Sequence, residues 1–333
     1  MTGTRVSVAL CTHNGEQYVG EQIATIAAQT RPVAEVVLSD DASADATVEV
    51  AGERLRSAGP ATPATLVLLE NPAPLGVTAN FEQALSRTSG DLIALSDQDD
   101  VWHPDKIERL VEVLGSSGAL LVWTDARIVG NRGEPLGRTL FEDLEISARE
   151  RELVGAGRAF PALLRRNLAT GATVLLRRDL LAAALPIPAE WVHDEWLAII
   201  ASAVGDVAML DETTIDYRLH DRNQIGVTAP SLRNKIRRVL QPRGDRNELL
   251  AAKFAVLAER LRALGDRVPT AYAAAAEQKA RFEGARARLS ARRWRRIPVV
   301  VSLLRSGDYD RYASQGRRDV LRDLLQPHGS GLR

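Results

Sequence analysis

The sequence predicts an α/β fold: a mainly parallel sheet flanked by helices, followed by an α-helical C-terminal region. Three features lead there. Short apolar runs of strand length alternate with stretches of helical periodicity. These runs tend to stop at a cluster of polar or acidic residues. Near residue 230 the alternation gives way to arginine-rich helical sequence, broken by Pro242, Gly244, Pro269 and Pro298. Alternating strands and helices imply parallel strands covered on both faces. In such sheets ligands bind beyond the carboxyl ends of the strands.

Arg5–Leu10 reads as the first strand, ended by Thr12-His13-Asn14-Gly15. Glu16–Gln29 spaces Tyr18, Val19, Ile23, Ile26 and Ala27 as a helix does, and Pro32 breaks it. Val33–Leu38 is a second strand that stops at Ser39-Asp40-Asp41, with a helix over Asp45–Leu55. Thr65–Leu69 and Gly76–Ser86 repeat the pair. Asp91–Leu95 is the fourth strand, stopped by Ser96-Asp97-Gln98-Asp99-Asp100. Pro104 opens the helix after it, as proline often does at a first helical position. Leu120–Thr124 is the fifth strand. Between Gly130 and Phe160 the pattern is less regular and reads as a mobile acceptor loop or a long connection. Ala169–Leu176 and Val207–Leu210 read as strands flanking a helix at Glu195–Ala203. A boundary near Ala229–Pro230 would separate an α/β domain, 1–229, from a basic helical region, 230–333.

The chain has 333 residues, 45% apolar and 26% charged, which is ordinary for a globular protein and excludes a collagen-like or wholly disordered one. Lys plus Arg and Asp plus Glu are both 43, so the net charge is zero. That neutrality is a sum of opposites. Residues 1–229 carry 19 basic and 33 acidic residues, and residues 230–333 carry 24 and 10. The single cysteine, Cys11, excludes an intrachain disulfide and fits a reducing cytosol. No secretory leader is visible, and no apolar run approaches the ~20 residues that span a bilayer. A cytoplasmic protein, peripheral at most to the inner face of a membrane, is the expectation. There is no phosphate-binding Gly-Lys-Ser/Thr loop, zinc-type His-Glu-x-x-His or Gly-x-Ser-x-Gly motif.

Four polar segments carry the chemistry. Asp97, Asp99 and Asp100 crowd three carboxylates into four positions, a repulsion that a divalent cation such as Mg²⁺ or Mn²⁺ relieves. An acidic turn capping the next helix is the alternative. Asp40-Asp41 suits ribose hydroxyls or a base N–H, or else an Asx turn. His13 and Asn14 follow the first strand, where an imidazole could stack on a base. Trp191-Val192-His193-Asp194-Glu195-Trp196 combines a carboxylate fit for general-base work with aromatics that build sugar-binding walls. Tyr217-Arg218-Leu219-His220-Asp221-Arg222 offers an imidazole for a metal and Arg218 or Arg222 for phosphate oxygens.

Taken in this order, the segments resemble the family 2 glycosyltransferases with the GT-A fold, most closely bacterial rhamnosyltransferase-type members. The likeness covers roughly residues 5–229. It rests on Val8–Gly15, Val36–Ser43, Ala94–Trp102, Thr170–Thr173, His193–Leu197 and Tyr217–His220. The resemblance implies an inverting, metal-dependent transfer of a sugar from a nucleoside-diphosphate sugar to a hydroxyl. It implies that Thr12, His13, Asn14 and Glu16 line the nucleotide pocket, with Asp40 at the base and Asp97 at the ribose. Asp99 and His220 would ligate the metal, and Asp194 would be the catalytic base. Gly171, Ala172 and Arg222 would lie against the donor. It favours a dTDP- or UDP-sugar, dTDP-rhamnose first, and a glycan or lipid-linked acceptor. Two positions depart from the family pattern. His13 stands where many relatives have Tyr, and Glu195 stands where an aromatic is common, which makes Glu195 a rival base.

Arg286, Arg288, Arg292, Arg293, Arg295 and Arg296 gather around Trp294, beside the apolar run Ile297–Leu304. A basic segment next to an apolar one suits an anionic membrane surface. Packing on the acidic half, within the chain or across a homodimer, is the rival expectation. No nucleic-acid motif is present, and aromatics are only 5%. Two other function classes fit the α/β pattern. One is a non-catalytic sugar-nucleotide or glycan-binding module. The other is a nucleotidyltransferase, although no Gly-rich basic phosphate loop follows the first strand.

Overall fold

The computed structural model describes residues 3–57, 65–220 and 244–327. They fall into two compact units. The first takes in the described residues up to Ala159 and again from Leu168 to 220. The second combines Phe160–Asn167 with the described residues from 244 onward. The expected boundary at Ala229–Pro230 lies outside the described residues.

Among the described residues the first unit holds a nine-stranded sheet. Its strands are β1 Val6–Thr12, β2 Glu35–Asp40, β3 Thr65–Glu70, β4 Leu92–Ser96, β5 Val101–Trp102, β6 Leu121–Val129, β7 Pro135–Thr139, β8 Leu175–Arg177 and β9 Val207–Arg218. The spatial order is β3-β2-β1-β4-β8-β6-β9-β5, with β7 paired to β6. β1 to β4 are mutually parallel, and β6 and β9 run parallel to each other. β8 runs antiparallel to both β4 and β6, so β6 and β9 share the direction of β1 to β4. β5 and β7 oppose their partners. Every residue of β1, β2 and β4 is buried. That is why these strands read as largely apolar runs: a parallel sheet is covered on both faces.

Helices α1 Val19–Ala27, α2 Thr47–Ser57, α3 Val77–Arg87 and α4 Lys106–Ser117 follow the first strands. α1 buries Val19, Ile23 and Ile26 in the same core as Val8 and Leu10. The register then sets the site. Thr12 lies opposite Asp40 and Leu10 opposite Ser96. Three strand exits, at 12–15, 40–43 and 96–100, therefore open side by side on one edge of the sheet.

The segment from Gly130 to Phe160 is more regular than the sequence reading had it. It holds β7 and two helices, α5 Leu140–Asp143 and α6 Ala148–Gly155. Each helix begins with a capping box, Thr139 with Glu142 and Ser147 with Glu150. Reciprocal side-chain bonds satisfy the exposed N–H groups of a helix start, so even short helices persist. Ala169–Leu176 is only partly a strand. Gly171–Thr173 forms a 3-10 turn, and β8 begins at Leu175. β9 runs eight residues beyond the expected end at Leu210, to Arg218, and pairs with β5 at Trp102 and Ile215. Next in the chain, α7 Phe160–Arg165 belongs to the second unit, whereas α8 Leu181–Ala184 and α9 His193–Val204 belong to the first.

The second unit pairs two 18-residue helices, α10 Arg246–Ala263 and α11 Thr270–Ala287. α12 Ile297–Arg305, α13 Asp308–Tyr312 and α14 Arg318–Leu325 follow. Phe160 of α7 stacks on Tyr272, with ring centroids 4.0 Å apart. The interior is partly ionic. Lys279 Nζ donates to Glu283 at 2.7 Å, and Arg286 Nε donates to Asp323 at 2.7 Å. Tyr309 donates its hydroxyl to the same Asp323 at 2.6 Å. No helix among the described residues is long and apolar enough to cross a membrane.

The capping box at Ser147 is testable. Ser147→Ala is expected to cost ~1 kcal/mol in urea unfolding, and Ser147→Thr much less. An unchanged midpoint for the alanine variant would show that the cap does not hold α6.

Candidate active site

The loop after β4 is where the charge concentrates. Asp97, Asp99 and Asp100 leave the strand end together. Burial, then Asp99 and Asp194, push the Asp97 carboxyl up to about 7, against the pull of Lys106. Burial, then Asp99 and Asp97, raise Asp100 well above the usual carboxylate range. Asp100 Oδ2 is buried with no hydrogen-bond partner among the described residues. Three neighbouring carboxylates cannot all stay ionised cheaply in such a place.

Cations hold this loop from two sides. Lys106, the first residue of α4, is fully buried and donates to the Ala172 carbonyl at 2.6 Å. Its ammonium sits 3.8 Å above the Trp102 ring. Burial lowers its pKa to about 7, although Asp100 and Asp97 pull it up. Arg218, at the end of β9, donates to the Asp99 carbonyl at 2.8 Å, the Asn131 carbonyl at 3.0 Å and Glu21 at 2.8 Å. Two residues on, His220 Nε2 lies 2.8 Å from Asp99 Oδ2. The His220 ring stacks on Tyr18 with centroids 4.8 Å apart.

The exits of β1 and β2 form the adjoining wall. Gln98 joins them to the acidic loop: its amide accepts from His13 N at 2.8 Å and donates to His13 O at 3.1 Å. A Cβ on Gly15 would meet the Gln98 amide, which would have to leave its place on His13 to make room. His13 Nδ1 donates to the Asp41 carbonyl at 2.7 Å, so Nε2 is left to accept from Asn14 Nδ2 at 2.9 Å. Both ring nitrogens are thus pinned. Asn14 adopts φ +49° and its Oδ1 accepts from Ala44 N at 2.9 Å. Asp40 accepts from Thr12 Oγ1 at 2.7 Å and from Ser43 N at 2.8 Å. Glu16 accepts from Ala46 N at 3.1 Å.

The third wall is the start of α9. Asp194 Oδ2 accepts from Gly171 N at 3.0 Å, and Oδ1 accepts from Glu195 N at 2.6 Å. These two bonds fix the carboxylate at the helix N-terminus. His193 stacks on Phe81 of α3, with centroids 3.8 Å apart, and is 4% exposed. Neither of its ring nitrogens has a hydrogen-bond partner among the described residues. A Cβ on Gly171 would come within 2.8 Å of His193 Nε2.

The structure therefore assembles Asp97, Asp99, Asp194, Gly171, Ala172 and His220 into one region, beside the Thr12, His13, Asn14, Glu16 and Asp40 loops. Arg222 lies outside the described residues. Arg218 departs from its expected phosphate role: it is 4% exposed and its guanidinium is spent on Asp99, Asn131 and Glu21. Sequence reasoning passed over Gln98 and Lys106. Lys106 had a signal: it falls in register with the buried Leu110 and Leu114 of α4.

The mainly parallel sheet, with its polar strand exits gathered on one edge, is the fold of GT-A glycosyltransferases. The chain belongs to glycosyl transferase family 2, whose model matches residues 7–181. A protein of Mycobacterium tuberculosis, Rv1520, is 31% identical over 221 residues, which is 65% of this chain and 59% of the relative. The chain thus matches less than two thirds of that protein. Two solved structures share the fold. TarS 1-349 of S. aureus, in complex with UDP-GlcNAc, aligns with TM-score 0.57 and 14% identity, covering 96% of this chain and 89% of that one. The mannosyltransferase PcManGT of Pyrobaculum calidifontis, in complex with GDP-Man and Mn²⁺, gives 0.52 and 18%, covering 96% and 86%.

His193 yields a pH test. Burial lowers its pKa to about 3, against 6.5 for a free imidazole. Between these values the unfolded chain binds the proton and the folded one does not, so stability falls as pH drops below about 6.5. The loss approaches ~1.4 kcal/mol per pH unit. His193→Phe keeps the stack on Phe81 and removes this component. The variant should gain on the wild type by ~1 kcal/mol per unit between pH 6 and 5. A difference that stays constant across that range would show that His193 is not held neutral.

Proposed function

We propose that the protein transfers a sugar from a nucleoside-diphosphate sugar to an acceptor hydroxyl, with inversion at the anomeric carbon. One observation carries the reading. Asp194 is fixed at the α9 N-terminus by Gly171 N and Glu195 N, close enough for its charge to raise the Asp97 carboxyl. A carboxylate so oriented takes the proton from the acceptor oxygen as that oxygen bonds to the anomeric carbon. The bond to the diphosphate breaks, and its electron pair leaves with the diphosphate. Such a base contributes roughly 10²–10⁴ in rate. The loops at Thr12–Glu16 and Asp40 provide the polar wall for the nucleotide, with Asp97 at its ribose.

The residues present fit a divalent cation. Asp99 Oδ2 and His220 Nε2 converge at 2.8 Å, and their neighbours Asp97 and Asp100 are pushed toward protonation by burial first and then by nearby carboxylates. Among the described residues no three His, Cys, Asp or Glu side chains are grouped to hold a metal by themselves. Mg²⁺ and its kin commonly take one or two protein ligands and complete their shell with substrate phosphates. Asp99 and His220 would hold Mg²⁺ or Mn²⁺, which supplies positive charge to the diphosphate. The Mn²⁺ bound with GDP-Man in the Pyrobaculum enzyme supports the same reading. The likeness of the motifs to rhamnosyltransferase-type members favours dTDP-rhamnose over UDP-sugars, and a glycan or lipid-linked acceptor.

Asp194→Asn is expected to lower turnover at least ~10²-fold in an assay of nucleotide release, while donor binding stays near wild type. Glu195→Gln should keep most of the activity. The reverse pattern would move the base to Glu195. No product with any of a panel of dTDP-, UDP- and GDP-sugars would instead favour a non-catalytic binding module.

A further inference from the structure

The arginine cluster of the second unit separates into two groups once its contacts are known. Between Glu283 and Asp308 the chain carries seven arginines and no carboxylate side chain. Arg286 and Arg296 are each 1% exposed. The first is paired with Glu283 and Asp323, and the second donates to the carbonyls of Ser290, Asp323 and Gln326. Arg288, Arg292, Arg293, Arg295 and Arg305 remain exposed.

Among them lies an apolar surface. α12 has the sequence IPVVVSLLR, yet Val300 is its only buried residue. Ile297 is 52% exposed and Val299 40%. Just before them Trp294 is 64% exposed, with the Arg295 guanidinium 5.0 Å from its ring. Arg296 ties the 293–296 turn to the end of α14 through the Asp323 and Gln326 carbonyls. α14 itself exposes Leu321 and Leu325, one turn apart on the same face.

We propose that the 292–305 segment docks on an anionic lipid surface, with Trp294, Ile297 and Val299 at the acyl boundary and the exposed arginines at the headgroups. Charge selects this occupant. Among the described residues, α12 is apolar enough to be a core element yet leaves Ile297 and Val299 exposed; between Glu283 and Asp308 five arginines and no carboxylate are exposed, and the exposed Asp310 beyond them is paired with Arg317. A second copy would bring an identical positive patch against it, whereas anionic headgroups complement it. This inference stands apart from the sugar-transfer reading, because it concerns only the second unit.

The full chain should sediment with vesicles containing phosphatidylglycerol and not with pure phosphatidylcholine, and binding should fade as salt rises toward ~0.5 M. Binding should shift tryptophan emission to shorter wavelength. The other four tryptophans, at 102, 123, 191 and 196, are buried, so the shift reports Trp294. Ile297→Asp with Val299→Asp should weaken binding about tenfold or more at an unchanged melting temperature. Arg293→Gln with Arg295→Gln should weaken it while leaving the apolar surface intact. Equal binding to neutral vesicles, or none to anionic ones, would overturn the proposal. So would a dimer by light scattering that the Ile297 and Val299 substitutions dissociate.

Discussion

Carboxylate crowding at the end of β4 is the constraint that organises the first unit. Asp97, Asp99 and Asp100 leave one strand together in a place where burial raises the cost of each charge. Much of the surrounding structure serves to hold them there. Lys106 enters from the helix start, fully buried and bonded to the Ala172 carbonyl. The long β9 delivers Arg218 to the Asp99 carbonyl and His220 to the Asp99 carboxylate. Gln98 ties the loop to His13, which fixes the β1 exit. Of these groups, Lys106 also offsets the loop's charge.

The parts legible in the sequence are those with one dominant cause. β1, β2 and β4 are buried on both faces, so they read as apolar runs, and their acidic stops mark the strand exits. Less legible elements lack such a signature. β7 is largely exposed, β5 is two residues long, and β9 passes through half-buried and exposed positions at 208–213 before its mainly buried end. Their pairing is decided by tertiary partners. α5 and α6 did carry a readable signal, the Ser/Thr-x-x-Glu boxes at 139 and 147. The pairing of Asp99 with His220 spans 121 residues and followed from family resemblance, since no local spacing encodes it.

The arginines of the second unit show the same limit. Spacing alone grouped Arg286 and Arg296 with Arg293 and Arg295. Only the contacts separate them, because Asp323 and Glu283 reach Arg286 from other turns. A buried network of this kind is weak evidence for stability in itself. Its effect here is to hold Lys279, Glu283, Arg286 and Asp323 in one arrangement, while Arg288, Arg292, Arg293, Arg295 and Arg305 stay exposed. The zero net charge of the chain therefore conceals two separate problems: an acidic cleft that needs cations, and a basic surface that lacks anions.

The most direct test of the central claim is a calorimetric titration of the full chain with UDP and dTDP, in Mn²⁺ and in chelator. Charge crowding at Asp97–Asp100 predicts that a diphosphate binds with the cation and is rejected without it. It also predicts that Asp99→Asn weakens binding about tenfold or more, as the proposed place of this carboxylate at the cation requires. Diphosphate binding of equal affinity in chelator, or unaffected by Asp99→Asn, would contradict the account.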